Sequence, residues 1–486
     1  MKRILTLLVV ILITSALFAP IARALPTDII VERMSVSTEG NEGNRESSRP
    51  SISGWGRYVA FQSFATNLVS NDINDYYDIY IRDRAASTTI RITWAYDGAD
   101  VDGSSFTPRI SASGRYVVYE SSATNLVPGD TNNDADIFVY DRDTDGDGIF
   151  DEPGATLTSR VSVASDGSQG SGGSARQGNI AAISADGRYV VFHSHFNNLV
   201  ASDTNNSTDV FVHDMQTGAT LRLSTSAAGG QADNHSYFPS ISADGRYVTF
   251  TSYSGAIVSG DNNNYCDTDG DFNPIDNCPD IFRYDRDADE DGIFDEPGEV
   301  AVALVSVGLG GVIGDDWSDH ADISADGRYV AFESDSTNLV ASDVNDQRDV
   351  FLRDMDSNQT VLVSVSTAGV QGDDFSSLPA ITADGHYIAF HSAATTLVTN
   401  DFNNAVDIFL RDTLLNTTER ASLTFLGNES NGASTFSDIS AYGEVVTFDS
   451  LASFLVPGDT NGMKDIFVRV YVEPTPYDLF LPIAVK

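Results

Sequence analysis

A segment that recurs seven times is the feature of this sequence that most constrains the fold. Each copy has a glycine after a tight turn, at Gly56, Gly114, Gly187, Gly245, Gly327, Gly385 and Gly443. The steps between these glycines are 58, 73, 58, 82, 58 and 58 residues, so two copies carry insertions of 15 and 24 residues. A fixed period with local insertions is typical of a repeat protein. The repeats take up nearly the whole chain and leave little room for a separate catalytic domain.

The copy at 323–364 illustrates the unit. Short strands are predicted at 322–324, 328–334, 349–354 and 360–364, rich in valine and aromatic residues and bounded by Gly, Asp, Asn and Ser. Gly327 supplies the positive φ of the turn between the first two strands. No segment shows sustained helical periodicity. Four antiparallel strands in each of seven copies predict an all-β fold, a seven-bladed β-propeller of four-stranded blades.

The two ends of the chain complement each other. The last copy has strands at 445–450 and 465–470 but no fourth strand, whereas residues 29–37 resemble the fourth strands of other copies, such as 88–93. We therefore expect residues 28–38 to complete the last blade and to close the ring, which leaves no open sheet edge. A β-solenoid is the alternative, and it would not need ends that match.

Superposed copies indicate which side chains are structural. Aromatic residues recur at three sites, as at Tyr329, Phe332 and Phe351, and are predicted to pack between adjacent sheets. A serine also recurs after the second strand, at Ser63, Ser121, Ser194, Ser252, Ser334, Ser392 and Ser450. A residue that occurs seven times around a ring is predicted to be a hydrogen-bonded structural serine rather than a nucleophile.

The run Ser-Ala-Asp-Gly-Arg-Tyr-Val-Ala-Phe-x-Ser at 324–334, followed by Asp-Val-Phe-x-x-Asp at 349–354, resembles the WD-like propeller repeat of the TolB family. All seven copies match this pattern, over about residues 28–470. The resemblance implies the propeller fold. The 58-residue period departs from the family pattern because the loop between the second and third strands is long.

The two long steps contain acidic insertions. Residues 143–152 and 287–296 are near duplicates with carboxylates at positions 1, 3, 5 and 9 and a glycine at position 6, the spacing that wraps oxygen ligands around Ca²⁺. The predicted calcium ligands are Asp143, Asp145, Asp147, Asp151, Asp287, Asp289, Asp291 and Asp295. Position 12 has Gly154 or Gly298, so Glu152, Glu296 or another loop must supply a ligand, or the site is weak. The alternative is a solvated acidic hairpin tip.

The fourth copy has a further insertion, between Asp261 and Asp280, that resembles a thrombospondin type 3 repeat, in which calcium-binding aspartates alternate with cysteines. The resemblance implies four more calcium ligands, Asp267, Asp269, Asp271 and Asp276. Both cysteines of the chain, Cys266 and Cys278, lie in this insertion. A local disulfide is favoured over free thiols or a soft-metal site, since the protein is expected to be exported and no histidine or further cysteine is nearby.

A milder acidic motif, Asp-x-Asn-x-x-x-Asp, precedes the third strand of the blades. Its first acids are Asp72, Asp130, Asp203, Asp261, Asp343, Asp401 and Asp459. An Asx-turn that braces the loop explains the motif without a metal, and calcium is the alternative.

The N-terminus is typical of a secretory signal. Lys2 and Arg3 precede an apolar run at 4–18, and Ala22-Arg23-Ala24 is a small-x-small cleavage site, so residues 1–24 are predicted to be removed. A membrane anchor is the alternative, but the run is short for a span. Residues 471–486 are expected to form a linker and a short apolar tail. The formal net charge of −42 disfavours nucleic acid and anionic membranes as partners and favours cations.

No motif identifies a catalytic set, and no Gly-x-Ser-x-Gly sequence occurs. The residue after the second-strand aromatic varies between copies, as Gln62, Glu120, His193, Thr251, Glu333, His391 and Asp449, and such a site is where a function would be encoded. His193 and His195 alternate on one strand and could bind a metal, although a polar strand face is favoured.

The sequence therefore predicts an exported, secreted or cell-surface propeller, periplasmic if the cell has an outer membrane. It would be a calcium-stabilised monomer that acts as a non-catalytic binding or scaffold module for a protein or carbohydrate ligand. The alternative is a metal-dependent polysaccharide lyase or hydrolase with its site at the propeller axis, around His193, Glu333 or His391. Some TolB-like propellers, the oligogalacturonate lyases, place histidines and a metal near the axis.

Overall fold

A computed structural model describes residues 30–172, 181–261 and 278–471. These residues form 28 strands and contain no helix. The strands assemble into seven four-stranded antiparallel sheets, which are the blades of a β-propeller, and the predicted fold is confirmed. The described part of the chain therefore has no helix of the length and hydrophobicity that a membrane span requires.

In blades 1 to 6 the four strands succeed one another along the chain. Blade 1 has β2 (Ser47–Ile52), β3 (Tyr58–Ser63), β4 (Asp78–Asp83) and β5 (Thr88–Arg91). Blade 2 has β6 (Ser105–Ile110), β7 (Tyr116–Ser121), β8 (Asp136–Asp141) and β9 (Leu157–Arg160). Blade 3 has β10 (Ala181–Ile183), β11 (Tyr189–Ser194), β12 (Asp209–Asp214) and β13 (Thr220–Arg222).

The remaining blades repeat this arrangement. Blade 4 has β14 (Ser236–Ile241), β15 (Tyr247–Ser252), β16 (Asp280–Asp285) and β17 (Ala301–Leu304). Blade 5 has β18 (Ser318–Ile323), β19 (Tyr329–Ser334), β20 (Asp349–Asp354) and β21 (Gln359–Leu362). Blade 6 has β22 (Ser376–Ile381), β23 (Tyr387–Ser392), β24 (Asp407–Asp412) and β25 (Thr417–Arg420). Blade 7 has β26 (Ser434–Ile439), β27 (Val445–Ser450), β28 (Asp465–Val470) and, from the other end of the chain, β1 (Ile30–Arg33).

The N-terminal strand closes the ring, as the sequence predicts. β1 pairs antiparallel with β28, with Ile30 opposite Val470 and Arg33 opposite Phe467. The backbone N–H of Met34 extends this pairing with a hydrogen bond of 2.7 Å to the carbonyl of Ile466. The first and last described segments are therefore joined in one sheet, and blade 7, like the other blades, has four strands.

A contact between a turn glycine and a tyrosine of the preceding blade links successive sheets. Gly114 packs on the ring of Tyr58, and the same contact joins Gly443 to Tyr387. Both glycines have a left-handed φ of 79°, so the turn conformation and the neighbouring ring each disfavour a larger residue. The glycine and the tyrosine that mark the repeat in the sequence are thus the two halves of one contact between blades.

The recurring serine has the structural role that its position predicts. Ser63, at the end of the second strand of blade 1, accepts a hydrogen bond of 2.9 Å from the Ser47 hydroxyl at the start of the first strand. Ser63 also accepts the backbone N–H of Ala65 at 3.0 Å. The equivalent serine pair in blade 7, Ser434 and Ser450, is 2.9 Å apart. These serines therefore fasten the first strand to the second at one end of the blade.

The first strands differ most from the sequence prediction. In blade 5 the first strand begins at Ser318 rather than at residue 322, whereas the third strand has its predicted bounds. Its pairing with the second strand shifts between Asp319 and Asp322, where a β-bulge interrupts the alternation of side chains. The prediction of 322–324 was therefore too short, because a bulged strand with polar side chains lacks the period-two pattern.

Candidate functional site

The first strands of the seven blades surround an axial channel with a volume of about 750 Å³. At one end of the channel, backbone hydrogen bonds of 2.9–3.0 Å connect the turns between first and second strands around the ring. The bonded pairs are Gly54–Ala112, Ala185–Ala243, Ala243–Ala325, Ala325–Ala383, Ala383–Ala441 and Ala441–Gly54. We call this end the turn mouth. The opposite end, where the first strands begin, is the loop mouth.

A β-bulge in the first strands directs side chains into the channel. In the six blades where the structure describes it, the central residue has a left-handed φ between 46° and 53°. These residues are Arg49, Thr107, Phe238, His320, Leu378 and Phe436, and all six line the channel. A left-handed conformation costs a non-glycine residue about 1–2 kcal/mol, so each bulge needs compensating contacts.

The variable residue of the second strand supplies such a contact to the next blade. Its side chain accepts the backbone N–H of the bulge residue in four blades, at 2.7–3.3 Å. The acceptor and donor residues are Gln62 and Thr107, His193 and Phe238, Glu333 and Leu378, and Asp449 and Arg49. We expected variation at this site to encode function, and in these blades the side chain caps a strained backbone instead.

The histidines of the second strands are held in the neutral form. Burial lowers the pKa of His193 to about 3, so its Nδ1 is free to accept the N–H of Phe238. Burial also lowers the pKa of His391 to about 4. His391 is 8% exposed, and its buried Nδ1 has no hydrogen-bond partner in the described structure. His391 is therefore a polar group beside the channel without the capping role of His193.

His320 and Glu333 form a charged pair beside the channel. The Nδ1 of His320 lies 3.2 Å from Glu333 Oε1 and 3.4 Å from Asp319 Oδ2. Burial opposes the charged imidazolium, but Asp319 and Glu333 outweigh it and raise the pKa of His320. Burial likewise opposes ionisation of Glu333, but His320, the N–H of Leu378 and Arg348 together lower its pKa. Each member of the pair therefore favours the charged form of the other.

Aromatic rings concentrate at the loop mouth on blades 4 and 5. We call Tyr237, Phe238, Tyr253, Trp317 and His320 the aromatic arc. Phe238 stacks on His320 with ring centroids 4.1 Å apart, and Tyr253 makes edge-to-face contacts with Tyr237 and Trp317 at 6.1 Å. All five side chains are partly exposed. The arc is a cluster of planar, half-buried rings next to charged and hydrogen-bonding groups.

The sequence signals for these residues lie in the first strand. Superposed copies place Arg49, Thr107, Phe238, His320 and Leu378 at one position, which varies as much as the second-strand position. Arg348, which donates to Glu333 at 3.2 Å, comes directly before a third strand. The sequence analysis considered the variable second-strand position and the repeated aromatics and so missed this second variable position.

The two acidic loops lie on the turn side of blades 2 and 4, after the third strands. In each loop three aspartates bring one carboxylate oxygen each within 4.8 Å of one another, in the groups Asp143, Asp145, Asp147 and Asp287, Asp289, Asp291. The structure thus brings together three of the four predicted ligands in each loop. In the first group only Asp143 is buried, and its oxygens accept the N–H of Asp147 and Gly148 at 3.1 and 3.2 Å.

The fourth predicted ligand of each loop has another partner. Asp151 accepts hydrogen bonds of 3.0 and 3.1 Å from the Nε of Arg142, and Asp295 makes the same contact with Arg286. The Arg142 guanidinium lies over the ring of Tyr58 in the preceding blade, with its Cζ 4.3 Å from the ring centroid. Asp151 therefore holds an arginine that ties its loop to blade 1. Three carboxylates remain for a cation that prefers six to eight oxygen ligands.

An arginine occupies the centre of the Asp-x-Asn motif in five blades. In blade 1 Arg91, from the fourth strand, lies 3.2 Å from both Asp72 and Asp78. The equivalent arginines are Arg33, Arg160, Arg222 and Arg420. In blade 5, Gln371 donates to Asp343 and Asp349 at 2.7 and 2.8 Å instead. The Asx-turn is formed by the asparagine, since Asn74 Oδ1 accepts the N–H of Tyr76 at 2.9 Å.

Several predicted site residues cannot be placed. Cys266, Asp267, Asp269, Asp271 and Asp276 lie outside the described residues, as do the predicted signal at 1–24 and most of the predicted tail at 471–486. Cys278 is buried next to β16. The calcium loop, the disulfide and the terminal segments therefore stay predictions. Among the described residues, no His, Asp or Glu of the channel belongs to a three-ligand metal group; only the two Asp triplets do.

Seven four-stranded blades, closed by the N-terminal strand around one channel, define this chain as a seven-bladed β-propeller. Neither a protein-family model nor a curated protein sequence matches the chain. Structural similarity is found to TolB from Acinetobacter baumannii, at 13% identity over 75% of this chain and 63% of that one, with a TM-score of 0.37.

Two further solved structures resemble the chain over most of its length. An oligogalacturonate lyase from Vibrio parahaemolyticus is 11% identical over 92% of both chains, with a TM-score of 0.46. The β-propeller domain of the trilobed protease from Pyrococcus furiosus is 12% identical over 91% of this chain and 98% of that one, with a TM-score of 0.47. These proteins differ in what their names describe, so the comparison does not select a function for this chain.

Proposed function

We propose that this protein is an exported, calcium-stabilised β-propeller that works as a non-catalytic binding or scaffold module outside the cytoplasm. A protein or carbohydrate ligand enters the axial channel through the loop mouth, and the chain acts as a monomer. The single observation that carries the proposal is the aromatic arc, in which the half-buried rings of Tyr237, Tyr253 and Trp317 connect through Phe238 to His320, the partner of Glu333.

The composition of the channel supports a ligand-binding role. Ligand sites are typically concave and combine apolar or aromatic walls with a few polar groups, in volumes of about 300–1,000 Å³. The channel has a volume of about 750 Å³. Its wall changes from blade to blade at the bulge position, where Phe238, His320, Leu378 and Phe436 are neighbours around the ring. Because the side chains of the channel wall differ from blade to blade, the two sides of a bound ligand would contact different residues.

Trp317 provides an internal reporter for this proposal, because the chain has only two other tryptophans, Trp55 and Trp94. In a W55F/W94F background, titration with a panel of oligosaccharides and peptides is expected to change the Trp317 emission for at least one ligand. Tyr253→Ala should weaken that binding, whereas Tyr442→Ala, which removes an exposed tyrosine near the turn mouth, should not. Equal effects of the two variants would contradict binding at the aromatic arc.

Calcium at the two acidic loops is the second part of the proposal. Each Asp triplet offers three oxygens to a hard cation, and water or backbone carbonyls would supply the rest. A site with so few carboxylates belongs to the weak class of extracellular calcium modules, with a dissociation constant on the order of 0.1–1 mM. Isothermal titration calorimetry is expected to count two fewer sites in D145N/D289N than in the wild type, since the variant keeps the predicted site at Asp267, Asp269, Asp271 and Asp276. Asp97→Asn, at an exposed aspartate outside the triplets, is the matched control.

Export and processing complete the proposal. Cleavage after Ala24 leaves the propeller at about 28–470, followed by the linker and tail at 471–486. The basic start and the small-x-small site support this assignment. Expression of the full chain with mass measurement of the exported protein tests it directly. A product that keeps residues 1–24 and stays with the membrane fraction would favour the anchor alternative.

One observation favours the second candidate, a polysaccharide lyase or hydrolase with its site at the axis. His320 lies 3.2 Å from Glu333 beside the channel, where Asp319 and Glu333 raise its pKa, and a positioned imidazolium can donate a proton to a leaving oxygen. The test is release of new reducing ends from a polysaccharide panel by the wild type and by His320→Asn. Release that the variant loses would support the enzyme, and no release by the wild type would leave the binding module.

A further inference from the structure

Two arginines of the channel wall lack the partners that other arginines of this chain have. Arg115, for example, donates to Asp141 at 2.7 Å, as the turn arginines of most blades do to the corresponding aspartate. Within the described structure, no hydrogen bond or ion pair involves the guanidinium of Arg49 or Arg109. Both side chains line the channel and are partly exposed there. Unpaired guanidinium groups are unexpected in a chain with a net charge of −42.

The positive charges of Arg49 and Arg109 repel each other. Burial lowers the pKa of Arg49, and the charge of Arg109 lowers it further. Like charges that face one lumen raise the free energy of the folded state unless an anion lies between or beside them. The charges of Asp449 and Glu120 relieve this cost only in part, since the pKa of Arg49 remains lowered.

Two carboxylates of the channel wall, Asp438 and Asp322, already accept other donors, although the charge of Arg109 favours the ionised form of Asp322. Asp438 accepts the N–H of Ile52 at 2.9 Å and of Ile439 at 2.8 Å. Asp322 accepts the N–H of Ile381 at 2.9 Å and the hydroxyl of Ser240 at 2.8 Å. These aspartates are directed at the backbone of neighbouring blades and leave the guanidinium N–H groups facing the channel.

Asp449 and Glu120, whose charges raise the pKa of Arg49, also have other partners. Asp449 accepts the backbone N–H of Arg49 at 3.1 Å and lies 3.3 Å from the ammonium group of Lys464. Glu120 has a partner of its own. These acids therefore have other hydrogen-bond or ion-pair partners, and they act on the two arginines through charge alone, without a direct contact to a guanidinium group.

The guanidinium of Arg49 is also held in a conformation suited to an anion. Its Cζ lies 4.3 Å from the ring centroid of Phe436. A guanidinium stacked on an aromatic ring keeps its in-plane N–H groups available, so it can bind a planar or tetrahedral oxyanion with two parallel hydrogen bonds. His391, whose Nδ1 has no partner in the described structure, lies in the blade next to Phe436 and also lines the channel.

We propose that the channel binds an anionic ligand whose carboxylate, phosphate or sulfate oxygens are held by Arg49 and Arg109. The proposal rests on the proposed function, since it names the chemistry of a ligand in the same channel. The ligand is small enough for a lumen of about 750 Å³ and carries at least one oxyanion group for the guanidinium pair. Blades 1, 2, 6 and 7 supply its charge recognition, and the aromatic arc on blades 4 and 5 contacts the rest of the molecule.

The test uses two simple dianions on the full mature protein. Isothermal titration calorimetry with succinate and with sulfate, at low ionic strength, is expected to show one channel site for at least one of them. Succinamide, which has the shape of succinate without its charge, should not bind. Binding should weaken by about tenfold to a hundredfold in R49Q/R109Q, the range expected for loss of charge-assisted hydrogen bonds. Succinate above sulfate would indicate a carboxylate ligand, and the reverse order a tetrahedral oxyanion.

Arg45→Gln is the matched control, because Arg45 also lies over an aromatic ring, with its Cζ 4.6 Å from the Phe64 centroid, but pairs with Asp75 outside the channel wall. R45Q should keep the wild-type affinity. Folding is not at risk, since relief of the arginine repulsion should leave the melting temperature of R49Q/R109Q unchanged or raised. Absence of binding by both dianions, or equal losses in R45Q and R49Q/R109Q, would overturn the proposal. A neutral ligand that changes Trp317 emission would still support the binding module.

Discussion

Substitution of the turn glycines can separate two destabilising effects, backbone strain and overpacking between blades. A methyl group at Gly443 would lie 2.7 Å from Cδ2 and 3.2 Å from Cγ of Tyr387 in the preceding blade, at a φ of 79°. A left-handed conformation costs alanine about 1–2 kcal/mol. Overpacking of a well-filled contact typically costs about 1–3 kcal/mol more. We therefore expect Gly443→Ala to lower the free energy of unfolding by about 2–5 kcal/mol.

Gly369 is the matched control, because its φ is 76° and a methyl group there would meet no atom within 4 Å. Gly369→Ala should cost only the strain, about 1–2 kcal/mol. Guanidinium chloride unfolding, followed by circular dichroism, measures both costs. In a Tyr387→Ala background the cost of Gly443→Ala should fall to that of Gly369→Ala. Equal costs in the native background, or an unchanged cost without the Tyr387 ring, would refute the proposed contact between blades.

Three further predictions follow from the buried charges. Arg420→Leu leaves two buried aspartates without a cation and should lower the free energy of unfolding by about 3–5 kcal/mol. Adding Glu429→Gln recreates the Leu-Gln arrangement of blade 5 and should restore part of that stability. No recovery would count against the equivalence of the arginine and glutamine arrangements. Glu333→Gln keeps an acceptor for the backbone N–H of the next bulge but removes the charge that faces His320. The His320 pKa measured by NMR should therefore fall. An unchanged pKa would contradict the interaction between His320 and Glu333. Burial raises to about 6 the pKa of five aspartates that begin third strands, namely Asp78, Asp136, Asp209, Asp349 and Asp465. The protonated aspartates stabilise the fold fully below their unfolded pKa of about 4, and this stabilisation is lost as the pH rises through 6. With chelator present, the melting temperature should therefore be higher at about pH 5 than at about pH 7.5. The opposite order would contradict these pKa shifts.

The fold was largely predictable because its strands follow simple rules. The second strand at 445–450 and the third strands at 349–354 and 465–470 have their predicted bounds, since each has apolar residues between a turn and a terminal Ser, Asp or Val. The glycine and tyrosine of the repeat were visible because one contact uses them at six of the seven junctions between blades, with Val445 in place of the tyrosine at Gly56. Ring closure could be predicted from a missing strand at one end and a surplus strand at the other.

The channel wall could not be predicted in the same way. A left-handed residue such as His320 breaks the period-two pattern, and no local signal indicates which way its side chain points. The role of Glu333 depends on the backbone of Leu378, which belongs to another blade. Contacts of this kind form only after the ring has closed, so the sequence showed the variation of these positions but not what the residues contact.

The acidic motifs illustrate a second limit. Local spacing suggested an Asx-turn or a calcium site at Asp72, and the structure places the Arg91 guanidinium there. Arg91 follows Asp72 by 19 residues on a different strand, so the neutralising cation was not evident from the motif itself. In the loop at 143–152 the spacing correctly grouped three aspartates, but it did not reveal that Arg142 engages Asp151.

The thermal unfolding midpoint, with excess calcium and with excess chelator, is the most direct test of a calcium-stabilised binding propeller. It should be measured on the mature wild type and on D145N/D289N. At a calcium concentration about 100 times the dissociation constant, each occupied site adds about 2.7 kcal/mol to the free energy of unfolding. We predict a midpoint several degrees higher with calcium in the wild type and a clearly smaller rise in the variant, which keeps only the predicted site at Asp267, Asp269, Asp271 and Asp276. An equal midpoint with and without calcium in the wild type, or the same rise in the variant, would contradict calcium binding at the two Asp triplets.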